Sequence, residues 1–88
     1  MAVCRVTVVN PLGLHARAAA TFVRLAGRFL CRIHVACGDR RVDGKSILGL
    51  LMLSAARGSV LEVTAEGADA DQAQATLCAL IERGFEDS

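Results

Sequence analysis

Four short runs of this chain change polarity from one residue to the next, and that period of two limits the possible folds more than any other feature. Over residues 2–9, Ala2, Cys4, Val6 and Val8 share one side while Arg5 and Thr7 take the other. Over 31–37, Cys31, Ile33, Val35 and Cys37 oppose Arg32, His34 and Ala36, and a third, shorter run follows at 40–42. Over 60–66, Leu61, Val63 and Ala65 oppose Glu62, Thr64 and Glu66. Such segments are half-buried strands. A sheet made only of them has one wet face, so it pairs antiparallel and keeps its helices on the other side.

Between the strands the period lengthens. Ala19, Phe22, Val23, Ala26 and Leu30 follow the spacing of one helix face from Ala16 onward. Arg17, Arg24 and Arg28 then fall within about 40° of one another on an exposed stripe. Ser46 is a good N-cap for a short apolar helix over Ile47–Leu53. A third helix over Ala70–Arg83 carries Ala73, Leu77, Leu80 and Ile81 inward, with Gly84 as its stop signal. The expected architecture is α+β: an open-faced β-sandwich with a four-stranded antiparallel sheet, three helices on one face, and the order βαββαβα.

With 88 residues the chain reads as one domain, 1–88, and its 53% apolar content is enough to supply one core. No Trp, no Tyr and a net charge of +1 argue against a base-stacking surface and against bulk nucleic-acid affinity. The charge is unevenly spread. Residues 1–41 hold seven arginines against Asp39 alone, whereas 42–88 hold three basic residues against eight acids. Either one surface is locally positive and meets an anionic partner, or the halves cancel on folding. The apolar stretch Ile47–Leu53 is far short of the ~20 residues of a membrane span. Cys4, Cys31, Cys37 and Cys78 form no Cys-x-x-Cys pair and no zinc spacing. They are expected to be thiols in a reducing cytosol, with neither a metal nor a disulfide role.

The chemistry concentrates in Asn10-Pro11-Leu12-Gly13-Leu14-His15-Ala16-Arg17, which sets a histidine where a glycine-containing loop enters a helix. A helix N-terminus offers unpaired amides and a partial positive charge, both suited to a phosphoryl group. Arg17, two residues on, brings a planar donor to the same anion. Spacing alone leaves an exposed, chemically idle helix cap as the alternative. His34, on a strand beside Arg32, reads as a solvated residue without a role. Gly44-Lys45-Ser46 ends like a P-loop, but the required glycine at position 39 is Asp39, so nucleotide binding is rejected. The apolar residues Ile47, Leu48, Leu51, Met52 and Leu53 either pack inward or form a docking patch beside His15, and both readings stand at this point.

Three stretches, NPLGLHAR at 10–17, DGKSILGLLMLSA at 43–55 and VTAEGADA at 63–70, resemble HPr, the histidine-containing phosphocarrier family of the bacterial phosphoenolpyruvate-dependent phosphotransferase system. The resemblance implies a carrier rather than an enzyme, without metal, nucleotide or other cofactor, working in the cytoplasm and most economically as a monomer. His15 would accept a phosphoryl group on Nδ1 from phosphorylated enzyme I and pass it to an EIIA-type acceptor, with Arg17 stabilising it. Docking would use Ala16, Ala20, Arg24 and Gly27 together with Ile47, Leu48, Leu51 and Met52. Ser46 matches the regulatory serine that HPr kinase phosphorylates in lineages possessing that kinase. Two departures stand out. Ala18 replaces the proline that many members carry after the arginine, and the LLMLSAARG stretch and GFED ending look more like the nitrogen-branch paralogue NPr. The rival readings are an HPr-like regulator acting by contact, which His15 disfavours, and a ferredoxin-like ligand- or RNA-binding module, which the lack of strand aromatics disfavours.

Overall fold

The computed structural model describes residues 1–86. Its elements run β1 (Ala2–Thr7), α1 (Ala16–Ala26), β2 (Arg32–Cys37), β3 (Arg40–Asp43), α2 (Ile47–Leu51), β4 (Val60–Glu66) and α3 (Ala70–Glu82), followed by a 3-10 turn at Gly84–Glu86. The four strands form one sheet in the order β1-β4-β2-β3, with every pairing antiparallel. The expected element order and sheet class are therefore present. Asp87, in the GFED ending, lies outside the described residues.

Register follows from the alternation. Cys4 pairs with Val63, Val63 with Val35 and Val35 with Val42, a line of side chains crossing the whole sheet toward the helices. The neighbouring rows hold Arg5, Glu62, Ala36 and Arg41, and Val3, Thr64, His34 and Asp43, on the outer face. There Arg5 and Glu62 make an ion pair at 3.0 Å with both side chains largely in water, so it contributes little. A one-residue slip would send Leu61, Val63 and Ala65 into solvent, which is why one register wins. His34 sits half-buried in this face with a buried Nδ1 that has no hydrogen-bond partner among the described residues, rather than fully solvated as the sequence suggests.

The core lies between sheet and helices. Helix α1 buries Ala18, Ala19, Phe22 and Ala26, and α3 buries Ala73, Leu77, Leu80 and Ile81. Full burial of Phe22 alone is worth about 1.5–3 kcal/mol. The small residues let α1 approach closely, and Phe22 fills the space beneath.

Several boundaries differ from the sequence reading, each for a local reason. Helix α1 stops at Ala26, where Gly27 caps it by donating to Val23 O, so the helical period does not reach Leu30. Leu30 is 95% exposed, while Phe29 packs against the core instead. Helix α2 ends at Leu51 rather than Leu53, and Ser54 then takes a positive φ of 51°. At α3, Asp69 stands in the N-cap position but makes no side-chain cap. Its carboxylate accepts from the amides of Leu30 (2.8 Å) and Cys31 (2.9 Å), tying the helix start to the entry of β2. The Leu30 amide above all holds the Asp69 carboxyl below the usual carboxylate range, and burial pushes the nearby Cys31 thiol up. Gly84 follows α3 with a φ of +68°, as the sequence suggests, and lets Phe85 turn back into the core.

Cys4 of β1 and Cys78 of α3 lie face to face, their Cα atoms 6.9 Å apart, a proximity the sequence reading did not foresee. Local spacing could not reveal the pair, because 74 residues separate them and only the packing of α3 over β1 brings them together.

Candidate functional site at the start of the first helix

The loop before α1 is built from the backbone outward. Asn10 O accepts from Gly13 N at 3.1 Å, closing a turn with Pro11 at its second position, where a fixed φ is favoured. Gly13 adopts a φ of +67°, and a Cβ there would lie 2.5 Å from Ala55 O and 2.9 Å from Ala56 Cα. Leu14 N donates to that same Ala55 O at 2.9 Å, so the loop is pressed against the segment leaving α2. Only glycine tolerates both the conformation and the approach. Gly13→Ala is expected to lose about 1–3 kcal/mol of stability, read from denaturant midpoints, and an unchanged midpoint would contradict this packing.

His15 is the N-cap residue of α1, with an extended backbone and its carbonyl accepting the first helical bond from Ala19 N at 2.9 Å. Its Nδ1 accepts from Arg17 N at 3.2 Å, so this ring nitrogen carries the lone pair and the tautomer is fixed by the helix itself. The ring is half-buried, while Ala16 and Arg17 are exposed. Arg17 therefore contributes its backbone amide to the ring, in addition to the side chain that the sequence singles out. The Arg17 carbonyl accepts the Thr21 hydroxyl at 3.0 Å, which anchors the first turn.

Helix α2 packs against α1. Its apolar residues divide between the two open readings. Leu50 and Leu53 are buried, whereas Ile47, Leu48 and Met52 are 42%, 70% and 57% exposed and Leu51 is intermediate. On α1, Ala16 and Arg24 are exposed and Ala20 is half-buried, with Gly27 exposed just past the helix end. All eight residues singled out for docking thus reach the surface of two packed helices. Arg40, from the edge strand, donates to Met52 O at 2.7 Å and holds the end of α2 in place. Ser46 caps α2, its hydroxyl accepting from Gly49 N at 3.0 Å.

Two participants escaped sequence reasoning. Ala55 carries no chemical signature, and its carbonyl matters only through tertiary contact. Asn10 did leave a signal, because Asn-Pro-x-Gly is a favoured turn opening, but nothing local shows that its side chain turns inward.

Comparison with known proteins bears on this loop directly. A family model described as "PTS HPr component phosphorylation site" matches residues 3–83. The phosphocarrier protein HPr of Neisseria meningitidis is 45% identical over 80 residues, covering 91% of this chain and 90% of that protein. The phosphocarrier protein NPr of Shewanella violacea is 39% identical over 84 residues, covering 96% and 92%. A crystal structure of HPr from Thermoanaerobacter tengcongensis superposes with a TM-score of 0.94 at 38% identity, over 100% of this chain and 99% of that one. A match of this extent, in sequence and in fold, means that the chain belongs to the HPr family of phosphocarrier proteins of the phosphotransferase system.

Proposed function

We propose that His15 is the phosphoryl carrier, taking the group on Nδ1 from phosphorylated enzyme I and yielding it to an EIIA-type acceptor. The observation that supports this reading is the alignment of Nδ1 on the Arg17 amide at 3.2 Å. The Nδ1 lone pair attacks phosphorus in line, the donor's N–P bond breaks, and the donor nitrogen leaves with its electron pair. The Arg17 amide, which now donates to Nδ1, is placed to donate to a phosphoryl oxygen once phosphorus occupies that nitrogen. The Arg17 guanidinium adds charge at the same point. One N–P bond replaces another, and an open helix end holds the group without trapping it, as a carrier of two-way traffic requires. The chain is on this reading a single-domain carrier and not a catalyst in its own right.

Partners would dock on α1 and α2 through Ala16, Ala20, Arg24, Gly27, Ile47, Leu48, Leu51 and Met52. Apolar area surrounded by arginines suits a partially acidic protein surface. The carrier role is common to the HPr and NPr relatives, and the acceptor decides the branch. Incubation with phosphoenolpyruvate and enzyme I, followed by addition of an EIIA-type acceptor, tests the relay. One phosphoryl group should load and then discharge to the acceptor. A chain that never loads, beside a control HPr that does, would favour regulation by contact instead.

Ser46, at the edge of this surface, is the proposed regulatory phosphorylation site for an HPr kinase. A negative charge there opposes an acidic partner without disturbing the fold, since Asp is itself a good cap. Ser46→Asp is expected to raise the KM for enzyme I roughly three- to tenfold at low salt with the melting midpoint nearly unchanged. An unchanged KM would count against this role.

A further inference from the structure

Among the described residues, Asn10 is the one polar residue buried in the core, at 3% exposure. Its side-chain amide donates to Gly13 O at 2.6 Å, while its backbone carbonyl accepts from Gly13 N at 3.1 Å, so both sides of the turn are clamped by one residue. Gly13 O also accepts from His15 N at 3.0 Å. The chain of contacts thus runs from the Asn10 amide through a single carbonyl to the backbone of the phosphoryl acceptor. The other side-chain atom, Oδ1, is buried with no hydrogen-bond partner among the described residues. An unpaired buried acceptor is costly, so this asparagine is not explained by packing alone.

We propose that Asn10 is a positioning residue for phosphoryl transfer at His15. By holding the Gly13 carbonyl, it fixes the His15 backbone and with it the alignment of Nδ1 on the Arg17 amide. Without that donor, the Gly13–Leu14 peptide keeps its tie from Leu14 N to Ala55 O but loses the one on its carbonyl side, so the acceptor used by His15 N can tilt. The nucleophile then samples orientations that are not in line with the donor's phosphorus, while the docking surface on α1 and α2 keeps its shape. This inference rests on the reading of His15 as the carrier.

The test uses Asn10→Ala and Asn10→Asp, the second matching asparagine in volume but lacking the donor when ionised. Enzyme I turnover is measured with each full chain as the varied substrate, alongside wild type. The expected result is a kcat lower by roughly ten- to a hundredfold with KM within about twofold of wild type, the split that distinguishes lost alignment from lost docking. The 15N spectrum of the His15 ring should also move from one tautomer toward an average of two. Either folded variant with wild-type kcat, or with the whole effect in KM, overturns the proposal. Should neither variant fold, wild type still decides. The Asn10 side-chain protons must be protected from solvent exchange as well as the His15 amide, and rapid exchange at Asn10 overturns the clamp. Failure of wild type to load at all would sink the carrier reading itself. Loading of wild type with unimpaired Asn10 variants would sink only the positioning role.

Discussion

A His15→Ala chain is expected to accept no phosphoryl group from enzyme I while remaining folded. The loss is complete because the rest of the site is electrostatic. The first-turn amides of α1 and the Arg17 guanidinium can stabilise a transferred group but cannot form a bond to phosphorus. The other imidazole, His34, lies on the outer face of the sheet in β2, paired in register with Thr64 and Asp43, and takes no part in the loop before α1. The fold survives because His15 is a half-buried helix cap outside the core, its ring accepting from Arg17 N. Its removal costs about 0.5–1 kcal/mol of helix capping, a melting shift of a few degrees. Intact mass after loading reads the first part, and a thermal scan reads the second. Residual loading of the variant to wild-type extent would place the acceptor elsewhere.

Oxidation of Cys4 and Cys78 to a disulfide is expected to have the largest effect on stability. The two positions are 74 residues apart, nearly the whole chain, and closing so long a loop removes much of the unfolded state's freedom. The gain is about 2–4 kcal/mol, which for a chain of this size raises the melting midpoint on the order of 10–20 °C. β1 is an edge strand held by β4, and the cross-link would fasten it to α3. Thermal scans of the chain with and without prior oxidation, together with Cys4→Ser and Cys78→Ser chains, measure this. Equal midpoints in both conditions, or a rise that survives in either serine variant, would contradict it.

Much of this molecule was legible in sequence because its longer strands largely alternate. Ala2, Val6, Ile33, Val35, Leu61, Val63 and Ala65 all fall on the buried side, and the pattern alone carries that. The candidate site around His15 stood out in sequence for a similar reason, since a loop glycine, a cap and an arginine sit within five residues. What was not legible depends on contacts distant in sequence. Leu30 continues the helical period of α1 yet points to solvent, because Gly27 has already ended the helix. Asp69 resembles a helix cap, but it serves Leu30 and Cys31, 39 and 38 residues away. The apolar segment around α2 could not be assigned to core or surface from composition, and it proves to be both, Leu50 inward and Leu48 outward. Periodicity reports which face a residue occupies within an element. It says nothing of where the element stops or which distant carbonyl waits beside it.

The charge asymmetry finds a partial explanation in the same geometry. Arg17 and Arg24 stand exposed on α1, and Arg28 stands exposed just beyond it, next to the proposed docking surface. Acids such as Glu62 and Glu66 belong to β4, in the sheet. The halves are thus not interleaved throughout, although Glu86 lies beside Arg24 and Arg28.

The most direct test of the account is to load the wild-type chain with phosphoenolpyruvate and enzyme I and locate the group by 31P and 15N NMR. One acid-labile, base-stable phosphoryl group on Nδ1 of His15, with the Arg17 amide resonance shifted as it changes acceptor, is the result expected. A group on Nε2 or on any other residue would contradict it.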